Sequence, residues 1–201
     1  MTAFDKEMTT KRTIVFAVAL LFAAVAHGDI VGIDIANDGD GAINGLATPD
    51  FLGSEGTVAI VGDQFWGPGH MVGTITSDTA LDPTLIMHNL IDNETAFAWT
   101  AYDVNIKMST TFVISNDLAY DPGDWTSTIT QPTFQDGQYI GTVSYLAGTP
   151  VAPMGVFEFG YRIAFDGATT YQFCQEMVPV PEPATMSLLA LGGLALLRRK
   201  K

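Results

Sequence analysis

Residues 157–165 have the sequence FEFGYRIAF, in which large apolar residues alternate with polar or small ones. A period of two residues is typical of a β-strand with one buried face. That face carries Phe157, Phe159, Tyr161, Ile163 and Phe165. Asp166-Gly167 follows, and alternation resumes over Thr170–Met177, with Tyr171 and Phe173 apolar. Because Asp-Gly accepts the positive φ of tight turns, the sequence predicts a β-hairpin here.

The same period recurs through the centre of the chain, between runs of Gly, Pro, Asp and Asn. Its clearest further instance is Ala101–Met108, and no central stretch shows convincing helical periodicity. Other candidate strands are Thr57–Val61, Met71–Thr76, Thr84–Ile91, Thr111–Ser115, Thr126–Thr130 and Tyr139–Leu146. Many short strands with turn residues between them predict a single all-β domain over residues 27–177, an antiparallel β-sandwich. A closed β-barrel is the alternative.

The N-terminus has the features of a secretory signal peptide. Lys11-Arg12 precedes the apolar run Ile14–Ala26, which closes on Ala24-Val25-Ala26. A basic start, an apolar run and a small-x-small end are what signal peptidase requires. We therefore predict a signal peptide over residues 1–26, with Ala24 and Ala26 forming the cleavage site.

The C-terminus has three parts with different physical properties. Alternating prolines at residues 178–183 favour an extended, exposed linker without backbone donors. Ala184–Leu197 is uncharged and would form a helix about 21 Å long, short for a hydrocarbon core of about 30 Å. The last four residues are basic and would stop the short transmembrane helix on the cytoplasmic side: Arg198, Arg199, Lys200 and Lys201. The domain before it would then lie outside the cytoplasm.

This tail, residues 178–201, closely resembles the PEP-CTERM sorting signal, with Pro181, Glu182 and Pro183 as its recognition motif. The resemblance implies processing by an exosortase, a membrane-embedded protease or transpeptidase of Gram-negative bacteria. It also implies an inner-membrane-anchored precursor and delivery to the cell surface or extracellular matrix, often beside exopolysaccharide. Signal peptidase would be the second processing partner. The resemblance implies nothing about the central domain.

Charge is concentrated in the central domain. Between Asp29 and Glu176 there are 19 acidic residues and only two basic ones, Lys107 and Arg162, which gives a net charge of −17. Such a surface repels phosphate backbones, which excludes nucleic acid as a partner. It favours solubility after export, with cation binding as the alternative. Cys174 is the only cysteine, so an intrachain disulfide is impossible; we expect it to be inert rather than bonded to another chain.

One polar stretch, DIANDGDGAIN at residues 34–44, partly resembles an EF-hand or dockerin calcium loop. With Asp38, Asp40 and Gly41 at the third, fifth and sixth positions, alanine occupies the first and twelfth, where carboxylates are needed. The stretch therefore favours an Asp/Asn/Gly-rich turn. A calcium site at Asp34, Asp38 and Asp40 is the alternative, and a similar cluster is formed by Asp117, Asp121 and Asp124.

Little in the central domain indicates catalysis. Its histidines His70 and His88 form no close ligand pair, and no nucleophile elbow is present. Trp66 and Trp125 lie in predicted loops, where an indole either stacks on a sugar or plugs the core. We therefore expect a non-enzymatic structural or adhesive protein. The alternatives are a carbohydrate-binding module and, third, a surface hydrolase using carboxylates near His70 or His88.

Overall fold

The computed structural model describes residues 28–52, 54–120 and 122–182. The predicted signal peptide, the apolar segment Ala184–Leu197 and the basic end lie outside these residues. Within the described ranges, no helix has the length and hydropathy needed to cross a membrane.

The described residues form eleven β-strands and a single 3₁₀ turn at Leu118–Tyr120. The strands in chain order are β1 Ile30–Asn37, β2 Ile43–Leu52, β3 Glu55–Gln64, β4 Gly69–Ser77, β5 Thr84–Asn93, β6 Trp99–Met108, β7 Phe112–Asn116, β8 Thr126–Gln135, β9 Gln138–Val151, β10 Val156–Phe165 and β11 Thr170–Pro181. The all-β prediction is confirmed.

All strands belong to one sheet, in the order β7-β10-β5-β3-β2-β1-β4-β11-β6-β9-β8. Among the described pairs only β3 with β5 is parallel, because β4 leaves to pair with β1 and β11 before the chain returns beside β3. The end strands β7 and β8 meet through the amide of Gln131, which accepts from the Ile114 N–H at 3.0 Å and donates to the Ile114 carbonyl at 2.8 Å. The sheet is thus nearly closed into a barrel.

Two seams divide this sheet into facing walls. The first seam lies between β1 and β2, which share one register pair, Ala36 with Leu46. The second seam lies between β7 and β8, which meet at the Gln131 contact. The first wall comprises β7, β10, β5, β3 and β2, and the second comprises β1, β4, β11, β6, β9 and β8. This arrangement has features of both predicted alternatives, the sandwich and the barrel.

The core lies between the two walls. The five apolar residues of β10 that the sequence placed on one face are all buried, with Tyr161 and Ile163 at 0% exposure. Trp99 and Tyr102 from β6 and Tyr171 from β11 are also fully buried. Period two therefore identified the inward face correctly.

The predicted hairpin is wrong. Strand β10 pairs with β5 and β7, whereas β11 pairs with β4 and β6. Gly167 does adopt the expected positive φ, +83°, but residues 166–169 carry the chain from one wall to the other. On this path the inward rings of Phe165 and Tyr171 still meet edge to face, at 4.5 Å.

Strands β1 and β2 were not predicted. The burial of β1 does not alternate strictly, and β2 is interrupted by Gly45 and Pro49, so neither has a clean period of two. Their connection coincides with the predicted Asp/Gly turn, in which Gly39 and Gly41 have φ of +82° and +80°. The turn is shorter than the polar stretch, because Asp34 lies within β1.

The end of β11 corrects the prediction of an exposed linker from residue 178. The strand continues to Pro181, with Val178 opposite Asp103 and Val180 opposite Ala101 on β6. Its pairing with β4 ends at Met177, so beyond that point β11 is an edge. Proline is tolerated at an edge because its missing N–H faces the open side.

Candidate functional site

The turn between β1 and β2 presents two aspartates to a histidine on β4. Asp38 Oδ1 accepts from the Asp40 N–H at 3.1 Å, and Asp40 Oδ1 accepts from the Ala42 N–H at 2.7 Å. The backbone N–H of Asp38 donates to the His70 carbonyl at 3.3 Å. Each carboxylate therefore fixes the turn with Oδ1 and leaves Oδ2 facing the imidazole. His70 Nδ1 lies 3.2 Å from Asp38 Oδ2 and 3.9 Å from Asp40 Oδ2.

On its other side, His70 begins a row of polar side chains on the outer face of the second wall, which we call the outer polar row. His70 Nε2 lies 3.3 Å from Glu176 Oε1 on β11. Glu176 Oε2 accepts from Lys107 Nζ and Asn105 Nδ2 on β6, both at 3.1 Å. Thr142 Oγ1 on β9 donates to Asn105 Oδ1 at 2.8 Å. The row crosses four neighbouring strands.

The pKa of Glu176 lies below its ordinary value. Burial favours the neutral carboxyl, but the hydrogen bonds from Lys107 and Asn105, the charge of Lys107 and the contact with His70 together outweigh burial. Glu176 is therefore a carboxylate that accepts hydrogen bonds from three side chains.

Of the three aspartates considered as calcium ligands, the structure places two beside a histidine. Asp38 and Asp40 cluster with His70, with all three ligand atoms within 4.8 Å of one another. Asp34 is exposed on β1 opposite Thr74 and is not part of this cluster. Sequence reasoning missed His70 because it follows Asp40 by 30 residues, and only the pairing of β1 with β4 makes them neighbours.

Two members of the second predicted acidic cluster, Asp117 and Asp124, lie in the described residues. Asp117 is buried, 3.5 Å from Arg162 Nε, and accepts from the Ala119 N–H at 3.0 Å. Asp124 accepts from the Thr149 N–H and hydroxyl, which lower its pKa. Asp121 lies outside the described residues. Both described aspartates are engaged by local protein donors.

The two loop tryptophans have opposite environments. Trp66 is 54% exposed and adjoins Phe65, itself 43% exposed, between β3 and β4. Trp125 is only 7% exposed, and its ring centroid lies 4.8 Å from that of Phe157. A Cβ at Gly148 would overlap the Trp125 indole, so glycine is needed there. The burial of Trp125 agrees with the plug alternative, whereas Trp66 has the exposure needed for stacking on a sugar.

The remaining single candidates are His88 and Cys174. His88 Nε2 lies 2.8 Å from Glu158 Oε1, and its ring stacks on Tyr120 at 3.8 Å. Cys174 is half-buried, and burial raises the pKa of its thiol despite the nearby charge of Lys107. A raised pKa disfavours the reactive thiolate.

The sorting motif begins on the folded domain. Glu182 donates its backbone N–H to the Ala98 carbonyl at 3.3 Å, directly after β11 ends at Pro181. Thr100 Oγ1 lies 3.4 Å from the carbonyls of both Val180 and Pro181. Pro183, the four basic residues Arg198 to Lys201, and the cleavage residues Ala24 and Ala26 lie outside the described residues.

The fold and the tail together define a β domain that continues directly into a C-terminal sorting signal. The sequence model of the PEP-CTERM protein-sorting motif matches residues 179–201. The resemblance of the tail is thereby confirmed, and it indicates an exported protein that an exosortase processes. No curated protein and no solved structure matches this chain.

Proposed function

We propose that the chain is a non-enzymatic structural or adhesive protein of the cell surface or extracellular matrix. The observation that carries the proposal is the match of residues 179–201 to the sorting motif, since that signal directs a domain outward. The apolar segment and basic end would hold the precursor in the inner membrane until an exosortase acts. A surface rich in carboxylates supports solubility after release.

The folded domain supports a structural role. Its interior is filled by aromatic and aliphatic side chains, including Trp99, Tyr102 and Phe159 at 0% exposure. The carboxylates near His70 are partly exposed side chains on the outer face of the second wall.

Replacement of Pro181-Glu182-Pro183 by three alanines tests the sorting assignment in a host with an exosortase. We expect the variant to stay in the inner membrane, because Ala184–Leu197 and the basic end still insert while the recognition motif is lost. Removal of the signal peptide should proceed normally. Fractionation of cells carrying an epitope in the β domain would measure both events.

Glu158→Gln is a matched control, because it removes one outer carboxylate from the same domain without touching the motif. It should reach the surface or the medium as the parent does. Equal surface delivery of the triple-alanine variant would refute exosortase sorting and leave a simple stop-transfer anchor.

Carbohydrate binding is the second candidate, and the exposed ring pair Phe65 and Trp66 favours it. Indole faces stack on sugar rings, and exopolysaccharide would be the ligand. Trp66→Ala should abolish retention of the protein on an immobilised polysaccharide. Leu81→Ala is the control, because Leu81 is another exposed apolar side chain, at 47%. Equal retention of both variants and the parent would remove this candidate.

A further inference from the structure

We propose that Asp38, Asp40 and His70 bind one divalent transition-metal ion of the zinc class. The three ligand atoms come from the β1–β2 turn and from β4, and they already lie within 4.8 Å of one another. The inference goes beyond export and sorting and does not depend on them.

The spacing of the ligand atoms suits a small metal ion. A tetrahedral zinc site with bonds near 2.0–2.1 Å separates its ligand atoms by about 3.3–3.5 Å. Here Nδ1 of His70 lies 3.2 Å from one carboxylate oxygen and 3.9 Å from the other. The Asp38 and His70 atoms are thus at nearly the required separation, the Asp40 oxygen is slightly farther away, and the exposure of both aspartates leaves a fourth position open to water.

The hydrogen bonds of His70 supply a second observation. The Nε2 atom faces the carboxylate of Glu176, which fixes that nitrogen as the donor. The Nδ1 atom is buried and finds no hydrogen-bond partner among the described residues, although two carboxylate oxygens stand before it. Two carboxylate oxygens this close to one ring nitrogen need a positive charge between them, which a metal ion bound to Nδ1 or a proton on Nδ1 would supply.

The Glu176–His70 pair also matches the surroundings of known metal ligands. A metal-bound imidazole usually donates its other N–H to a carboxylate, which orients the ring and raises its basicity. Glu176 is itself held by Lys107 and Asn105. The outer polar row would therefore position His70 without contacting the ion.

The ligand set favours a zinc-class ion over calcium. Calcium takes six to eight oxygen ligands, whereas imidazole nitrogen with carboxylate oxygen suits zinc and its neighbours. His88 offers a contrast within the same chain, because it has one carboxylate partner, Glu158, and a stacked tyrosine. Bound metal would brace the β1–β2 turn against β4, beside the seam where β1 and β2 share one register pair.

Titration calorimetry of full-length, untagged Cys174→Ser protein in detergent, stripped with a chelator, tests the site. The serine removes the one thiolate that could bind zinc elsewhere. We expect one equivalent of Zn²⁺ with a micromolar or tighter Kd, a raised Tm, and no saturable heat with Ca²⁺. His70→Ala and Asp38→Asn/Asp40→Asn should each weaken Zn²⁺ at least tenfold.

Two further variants separate ligation from folding. His88→Ala should bind Zn²⁺ as the parent does, and Glu176→Gln should weaken it about tenfold by releasing the ring. Far-ultraviolet circular dichroism checks that each variant is folded. If a variant unfolds, the single substitution Asp40→Asn, at an exposed residue, is tested in its place. Parent binding weaker than about 1 mM, unchanged affinity in the His70 and aspartate variants, or equal affinity for Ca²⁺ would each overturn the proposal.

Discussion

Adjacent residues of β11, Gln175 and Glu176, place polar groups on opposite sides of the sheet. Gln175 is completely buried between the walls, while the Glu176 side chain is 21% exposed on the outer face. Gln175 is neutral, accepts from the Tyr161 hydroxyl at 2.5 Å and donates to Asn89 Oδ1 at 2.8 Å. Glu176 is charged and contacts a histidine and a lysine.

The two sides also differ in what their hydrogen bonds connect. The Gln175 bonds run from β11 in the second wall to β10 and β5 in the first. Gln64 on β3 likewise meets Tyr102 on β6, and the Tyr145 hydroxyl on β9 donates to the Gly160 carbonyl on β10. The outer polar row joins neighbouring strands of one wall only. Neutral amides and phenols therefore align the walls internally, where an unpaired charge would be very unfavourable.

The sharpest test of this difference compares alanine at the two adjacent positions. Gln175→Ala should lower the free energy of unfolding by about 3–5 kcal/mol, because it leaves a cavity and strands the Tyr161 hydroxyl. Glu176→Ala should lower it by about 1 kcal/mol or less, because partly exposed ion pairs contribute little. Urea unfolding followed by tryptophan fluorescence would measure both. Similar losses at the two positions would show that the inner bonds do not set stability.

A smaller change isolates one inner hydrogen bond. Tyr161→Phe removes only the hydroxyl and leaves Gln175 Oε1 without its donor, so we expect a loss of about 1–3 kcal/mol in unfolding free energy. Tyr139→Phe is the matched control, since Tyr139 is half-buried with its ring beside exposed Phe134. The control should change the unfolding free energy by less than about 0.5 kcal/mol. A loss at Tyr139 as large as at Tyr161 would contradict the argument.

Alkaline pH probes the same interior without mutation at Gln175. Burial raises the pKa of Tyr102 and of Tyr161 well above the ordinary tyrosine value. The neutral phenols therefore stabilise the fold below the unfolded pKa of about 10, and this contribution is lost as pH rises further. We expect phenolate absorbance from these two residues to appear only together with unfolding. Their ionisation in a protein that keeps its circular dichroism would refute this.

The alternation of apolar and polar residues in the sequence predicted only part of the difference between the inner and outer faces of the sheet. Period two placed Tyr161 and Phe159 inward, because alternation fixes which face of a strand each residue occupies. It does not encode which strand lies next to it, so β10 and β11 were wrongly paired through Asp166-Gly167. The strand pairs that did form join residues far apart in the chain, such as Phe173 on β11 with Gly73 on β4.

The candidate sites follow the same logic. The tail was recognisable because its motif, apolar run and basic end are contiguous in the chain. The Asp38 and Asp40 turn was also visible, since both residues lie in one short Gly-rich segment. His70 and Glu176 were not associated with it, because β4 and β11 become neighbours only in the sheet. Short-range chemistry was predictable, and clusters drawn from several strands required the fold.

The smallest expected effect on stability comes from Glu176 on the outer face, and it changes at acidic pH. Hydrogen bonds and the Lys107 charge outweigh burial and lower the pKa of Glu176, so its carboxylate stabilises the folded state above the unfolded pKa of about 4.3. That contribution is lost as pH falls through the lower folded pKa. Glu176→Gln should therefore differ from the parent by less than about 1 kcal/mol at neutral pH and converge with it in acid. Lys107→Met should reduce the same acid dependence, because it removes the main group that lowers the pKa. Melting curves in chelator between pH 7 and pH 3 would measure both, and a parent-like acid slope in Glu176→Gln would show that the carboxylate gains nothing from the outer polar row.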